Sequence, residues 1–454
     1  MMDFLYNAFY FIVALGILVT IHEYGHFWVA RKLGVKVLVF SVGFGKPIWQ
    51  RKGKDGVTYM VAAIPLGGYV KMLDEREGDV DENDAPYAFN RKSVWARMAI
   101  VLAGPMANFV LAIVLYWMMF GMGITGLNTQ VGKIDEQTIA GKAGLVAGDT
   151  INRVDGEPVF LLQDVVKAVA ARLGEETTLE LEVTSEQGGT KKLTLKLDNW
   201  QVDTSRPQIL ESLGIVHRVQ DITIPAKIAQ VTVGGPADKA GLEPGDLIKK
   251  YNNQEVIDWR QLVSLVQADK DQSVSLLIER NGELTPLSVV IGSHKPEDKL
   301  VGFLGVSPAS IDRSQYVTSR QGGLVESFNM AIQETGKMIS LTVQLFKKLL
   351  VGDISPKSLS GPISIAEGAG GSARGGLVYF LSFVAMISVN LGFINLLPIP
   401  LLDGGHLLFY SIEAIKGKPL SEKVQEIGMQ VGMLMVFALM AVAIFNDLSR
   451  HFGA

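Results

Sequence analysis

His22-Glu23-Tyr24-Gly25-His26 lies inside an apolar run, residues 4–30, long enough to cross a bilayer as one helix. Residues four apart share a helix face, so His22 and His26 can present two imidazoles to one metal ion. Glu23 stands beside that pair, where its carboxylate could take a proton from a metal-bound water. Each ionisable group near the centre of a span costs at least ~2.5 kcal/mol on insertion scales, so a functional reading is the default. HExxH on a soluble helix is a modest signal. The same pattern in a membrane helix is much rarer.

Working outward, the 454 residues are 48% hydrophobic and 19% charged, with mean hydropathy +0.26. That is too apolar for an ordinary soluble enzyme and too charged for a bare helix bundle, so spans plus soluble domains fit. The net charge of -4 gives no sign of a nucleic-acid partner. With no cysteine, disulfides, thiolate zinc sites and cysteine nucleophiles are excluded. Met1-Met2-Asp3 offers no basic start, so the first run reads as a retained span beginning outside rather than a cleaved signal peptide.

Four spans are expected: 4–30, 97–121, 376–400 and 426–446. Arg31, Lys32, Lys36, Arg91, Lys92 and Arg97 flank loop 31–96, and Lys416, Lys418 and Lys423 lie in segment 401–425. Both read as cytoplasmic by the positive-inside rule. The long stretch between spans two and three is then external, periplasmic in a Gram-negative cell, as are both termini. At 1.5 Å per residue, Glu23 lies ~28 Å along its helix, near the inner leaflet. The third span runs in the same direction. Its far end carries Asn390, Asn395, Pro398, Pro400 and then Leu402-Asp403-Gly404, so both polar clusters are expected on one side of the membrane.

In loop 31–96, residues 57–70 are β-prone and broken by Gly and Pro, as are 40–45. Two readings stay open: a cytoplasmic hairpin, or a β-loop dipping beside the metal with an edge for an extended substrate. In the external part, Ala140-Gly141-Lys142-Ala143-Gly144-Leu145 and Ala237-Asp238-Lys239-Ala240-Gly241-Leu242 open two copies of one pattern, each continuing to Gly-Asp (148–149 and 245–246). Each copy proceeds through a strand and turn, a helix and a hairpin, a layout for tandem domains rather than a solenoid. The pattern A-x-x-A-G-L-x-x-G-D-x-I resembles the PDZ domain in its bacterial arrangement, with domains expected at 124–205 and 206–308. PDZ domains hold a peptide end against a sheet edge. Leu213-Gly214-Ile215 resembles the carboxylate-binding element, placed here in the second copy; two spacers that bind no peptide are the alternative. Segment 320–352 reads as an amphipathic helix on the membrane surface, and 361–376 as a Gly-rich connector.

A catalytic zinc needs three protein ligands and an open position. Asp403 is the best third ligand, following Pro398 and Pro400, which interrupt helical hydrogen bonding. His406, three residues on, is the rival. Asn390 and Asn395 could bind an unwound substrate or brace Asp403, or simply join helices within the membrane. His217, His294 and His451 read as surface residues.

The HExxH of span one together with Leu402-Asp403-Gly404 after Asn395 and Pro398 resembles the site-2 protease family of intramembrane zinc metalloproteases. Ile64-Pro65-Leu66-Gly67-Gly68-Tyr69-Val70-Lys71-Met72 and the PDZ pair strengthen the likeness to its bacterial members. The resemblance implies Zn2+ on His22, His26 and Asp403, Glu23 as catalytic base, and substrate handling by Asn390, Asn395, Pro398 and Pro400. It implies a membrane-reentrant β-element and single-span substrates: an anti-sigma factor already cut outside, and remnant signal peptides. The expected fold is a polytopic α-helical inner-membrane protein of four transmembrane helices with two periplasmic α+β PDZ domains. Its rival is a non-enzymatic PDZ receptor with a structural zinc, for which Glu23 has no use. A serine protease lacks the Gly-x-Ser-x-Gly element.

Overall fold

The computed structural model describes residues 2–452, except 77, 199, 201, 203–207, 222–223, 295–299 and 309–313. The apolar runs form helices α1 (Met2–Lys32) and α2 (Val94–Met122), then, after a long insertion, α3 (Leu324–Val351), α4 (Pro362–Arg374), α5 (Leu377–Leu396), α6 (Asp403–Lys416) and α7 (Glu422–Phe452). Among the described residues four helices are long and apolar enough to cross a membrane: Asp3–Lys32, Val94–Met122, Leu377–Leu396 and Glu422–Arg450. The chain is a multi-pass membrane protein.

Helices α1, α2 and α5 form the core. Ala14 and Leu18 meet Ala112, Leu115 and Tyr116 of α2 and Val384, Ala385 and Val389 of α5. Small residues set the spacing, as they do where lipid supplies no hydrophobic drive between helices. A Cβ on Gly25 would stand 2.3 Å from Ala103 O, and one on Gly392 3.1 Å from Pro105 O. Helix α7 is almost bare, its apolar window only 6% buried against protein. It is held near its ends. The Asp447 carboxylate accepts from Gly361 N, Ile363 N and Ser364 N at the start of α4, a favourable place for an anion. Gly432 lies against Pro400.

Between α1 and α2, strands β1 (Val37–Lys52) and β2 (Thr58–Met72) fold back on each other. The run 39–42 pairs with 68–71 on one side and 58–61 on the other, and 49–52 pairs with 58–61 again. Phe27, Ala30, Val35, Val37 and Ile100 fix this sheet to the ends of α1 and α2.

The insertion is closed by a ribbon, Ile124–Leu127 antiparallel to Val317–Arg320. Within it, two sheets share one strand order. The first is Glu157–Pro158, Thr150–Val154, Thr178–Thr184, Thr190–Lys196, and the second Gln254–Glu255, Leu247–Tyr251, Ser273–Arg280, Glu283–Val290. Helices Leu162–Ala170 and Trp259–Ala268 complete separate apolar cores. The expected boundary at 205/206 lies outside the described residues, but the assignment of Leu213-Gly214-Ile215 to the second copy is corrected. Leu213 and Ile215 are buried in the first core, and Ala140 N donates to Leu213 O at 2.9 Å. The matching bond in the second copy joins Ala237 N to Leu304 O, also 2.9 Å. Each repeat is therefore closed by a strand-like segment that follows its own hairpin. Gly214 and Gly305, at φ 84° and 80°, occupy corresponding turns.

Helix α3 touches both the span bundle and the first repeat. Met330, Ala331 and Met338 enter the membrane core. On its polar side Glu334 pairs with Lys167, Lys337 with Glu157, and Lys348 with Glu175, all on the first repeat. Phe328, Ile332 and Val343 of the same helix remain exposed.

Candidate metal centre

His22 and His26 project from one face of α1 toward α2, and the first residue of α6, Asp403, reaches them from below. His22 Nε2 lies 3.3 Å from His26 Nε2 and 3.2 Å from Asp403 Oδ2. His26 Nε2 lies 3.5 Å from the same oxygen. Ligands at bond lengths of about 2.0–2.1 Å around a tetrahedral zinc stand ~3.3 Å apart. Although close to both imidazoles, Asp403 Oδ2 is a buried oxygen without a hydrogen-bond donor. His26 Nδ1 is 2.8 Å from Ile100 O; a carbonyl only accepts, so Nδ1 carries the proton and Nε2 of the neutral ring is a bare lone pair. An orphaned carboxylate oxygen and a bare imidazole nitrogen, with a second imidazole at the same spacing, fit a divalent metal. Among the described residues these three side chains form the one group of at least three such ligands.

Backbone without side chains lets this happen. A Cβ on Gly104 would sit 2.2 Å from His26 Nε2 and 2.9 Å from His22 Cε1. The turn between α5 and α6 is equally tight: a Cβ on Gly404 would be 2.2 Å from Leu397 O, and one on Gly405 2.5 Å from Ile399 O. Leu401 there has φ 154°, a conformation that costs a residue with a side chain on the order of 1–3 kcal/mol. The turn that aims Asp403 is thus held under strain by its packing. Arg97, 8% exposed, ties α6 to α2 by bonding Glu413 and lying 4.8 Å over the Tyr410 ring.

Glu23 is 9% exposed and stands against the second strand. A Cβ on Gly68 would be 2.8 Å from Glu23 Cγ and 2.7 Å from Ser41 O. The β-element therefore passes directly beside the carboxylate, at the one glycine that leaves it room.

The structure brings Asp403, not His406, to the histidine pair. The His406 ring stacks on Tyr410 at 6.4 Å. Burial holds its imidazole below the ordinary range, against the pull of Asp403 and with a push from Arg76. Asn390 Oδ1 accepts from Thr342 Oγ1 of α3 at 2.8 Å. Asn395 is half-buried in the last turn of α5, Pro398 is exposed, and Pro400 is half-buried beneath Gly432. Leu213-Gly214-Ile215 is far from a carboxylate trap: its three N–H groups donate to Leu210 O, Glu211 O and Leu210 O. His217 is not a surface residue. It is 3% exposed, 3.1 Å from Asn128 Oδ1, and accepts from Val219 N. His294 is exposed, and the His451 side chain lies outside the described residues. Sequence reading missed Gly104 and Asn108. Their signal was an amide four residues past a glycine, in an otherwise apolar span.

The model of peptidase family M50 matches residues 10–439. A Vibrio cholerae protein with a zinc-metalloprotease name is 43% identical over 99% of this chain and all of its own length. The regulator of sigma-E protease RseP of Escherichia coli is 43% identical, and the protease RseP of Yersinia pestis 44%, each over 99% of this chain and their full lengths. Among solved structures, an HtrA-type protease AlgW with a decapeptide is 17% identical, covering 26% of this chain and 50% of that one, at a TM-score of 0.16, too low to inform the fold. Family model and full-length relatives agree with the donor set above: this chain is a metalloprotease belonging to peptidase family M50.

Proposed function

We propose that the chain is a zinc-dependent intramembrane endopeptidase of the bacterial inner membrane, acting in a sigma-E type envelope response. His22, His26 and Asp403 would hold the zinc, and the observation that supports this most is their tetrahedral spacing around an orphaned oxygen. When bound, zinc polarises the scissile carbonyl and lowers the pKa of an attacking water toward ~7. Glu23 takes a proton from that water and delivers it to the leaving amide nitrogen as the C–N bond breaks. Its burial keeps bulk water from competing for the proton.

A substrate helix bonds its own backbone and must unwind before it is cut. The strand around Gly68, beside Glu23, offers an edge on which an extended segment can lie. Asn390, Asn395, Pro398 and Pro400, at the end of α5 and in the turn before Asp403, would handle the substrate backbone there, Asn390 on the side where it accepts from Thr342 Oγ1. Substrates are single-span proteins: an anti-sigma factor after an outer cut, and remnant signal peptides. The two repeats act as periplasmic PDZ domains, the first extending through residue 217. Together they screen out bulky substrates. The second has a cavity of about 200 Å³ between Trp259–Ala268 and Val301–Val306, lined by Leu262, Val266 and Phe303, suited to an apolar peptide end.

The test is cleavage of a single-span peptide by the detergent-purified chain. Cleavage within the apolar segment, stopped by a chelator and restored by stoichiometric zinc, is expected. Activity indifferent to metal removal would overturn the proposal.

A further inference from the structure

Asn108 is completely buried in the middle of α2, four residues beyond Gly104 and eight beyond Ile100. These three positions make one stripe of α2, and all three face the histidine pair: Ile100 through its carbonyl, Gly104 through its bare Cα, Asn108 through its amide. Ser388 Oγ donates to Asn108 O at 2.8 Å, anchoring this turn to α5.

The amide nitrogen of Asn108 is 3.1 Å from His22 Nδ1, and its Oδ1 is buried with no donor. The two ends of a side-chain amide are alike in shape, and their assignment follows hydrogen bonding. As placed, the amide N–H points at Nδ1, so the neutral ring must carry its proton on Nε2. An imidazole in that form cannot ligate a metal through Nε2. Turned by half a rotation, Oδ1 accepts the Nδ1–H, gains the donor it lacks, and leaves the Nε2 lone pair facing the lone pair of His26.

We propose that Asn108 is a positioning residue that fixes the ligating tautomer and ring angle of His22, with Oδ1 toward Nδ1 when metal is bound. This rests on the metal reading above. It makes the two histidines unequal. His26 is oriented by a backbone carbonyl that no substitution removes, and His22 by a side chain that one substitution can.

The experiment measures zinc affinity of the full-length chain in detergent, by competition with a chromogenic chelator, for native protein, Asn108→Asp and Asn108→Leu. Losing an outer partner of a metal-bound histidine costs about 10–100-fold in affinity, the drop expected for Asn108→Leu. A carboxylate oxygen can accept the same Nδ1–H, so Asn108→Asp should stay within about threefold of native, short of that range. A merely structural role gives the opposite order, since a carboxylate fits a buried apolar turn worse than a leucine of similar size. Leucine binding zinc as tightly as native, or aspartate as weakly as leucine, overturns the proposal. If the leucine variant does not fold, Asn108→Ala takes its place with the same thresholds. A native chain that takes up no zinc would instead sink the metal reading itself.

Discussion

Asp403 in the membrane core and the buried carboxylates of the two repeats are met by different partners. In the repeats, buried charge is settled locally. Asp246, 1% exposed, accepts two bonds from the Arg280 guanidinium and one from Glu243 N. Asp149, equally buried, pairs with Lys191 and accepts from Val146 N through Oδ2, while its Oδ1 has no donor. In the core, Asp403 has an oxygen with no donor, two imidazoles face it, and Glu23 stands against a glycine. Asp149 and Asp246 each have a Lys or Arg beside them, whereas Asp403 has only the two imidazoles, an arrangement that leaves room for a metal cation. The repeats are therefore built for stability, and the core gives up some stability for chemistry.

Removing the open carboxylate should have the largest effect on that contrast. Asp403→Ala is expected to lose zinc, from about one per chain to background in elemental analysis, and to lower cleavage by at least ~10³-fold, since the metal supplies several kcal/mol of charge stabilisation. Full zinc in this variant would mean that the orphaned oxygen is not a ligand. Glu23→Gln separates metal from chemistry. Zinc should remain while cleavage falls by about 10²–10⁴-fold, the range of general acid–base catalysis. Residual turnover near native would remove Glu23 from the role of base.

Gly104→Ala sharpens the comparison by adding one methyl to the core. The new carbon would lie 2.2 Å from His26 Nε2, so a ligand must shift. Zinc affinity should fall about tenfold, the lower end of what disturbed outer support costs, with about 1–3 kcal/mol of overpacking. Gly121, near the end of the same helix, has no neighbour within 4 Å of where a Cβ would stand. Gly121→Ala should leave zinc affinity unchanged. Equal losses in both variants would show that contact with the ligands is not responsible.

The same contrast explains what could be read from the sequence. The repeats were legible because their pattern is local: Gly144 and Gly241 take φ 88° and 79°, and Gly148 and Gly245 take 93° and 102°, demands that the chain writes within a few residues. The spans were legible from apolar length, and His22 and His26 from helix spacing. What could not be read was long-range pairing. Nothing near Leu213 says which core it enters, because its partner Ala140 is 73 residues earlier, and its likeness to a carboxylate-binding element put it in the wrong copy. The role of Asn108 was out of reach for the same reason, since it depends on a ring 86 residues away. The α3 pattern was read as amphipathic, but periodicity alone could not name Lys167 and Glu175 as partners of its polar side.

The smallest expected effect lies in the repeats, and it has a definite sign with pH. Burial raises the Asp246 carboxyl, but the Arg280 fork and the Glu243 N–H outweigh it and hold the group below its ordinary range. A carboxyl lowered on folding stabilises the fold above its unfolded pKa of about 3.9 and loses that contribution as pH falls through the lower folded value. Asp246→Asn should therefore weaken the second repeat at pH 7 by about 2 kcal/mol, the scale of hydrogen bonds to a charged group. The gap to native should narrow as pH drops below about 4. Hydrogen exchange in strand Ser273–Arg280 of the full-length chain, corrected for intrinsic rates, reads it. Cleavage of a short single-span substrate should not change, because the ion settled inside the repeat touches nothing in the core. A gap constant from about pH 7 to about pH 3, on either side of that carboxyl range, would mean that Asp246 serves by its shape rather than its charge, and the repeats would then differ from the core less than their ion pairs suggest.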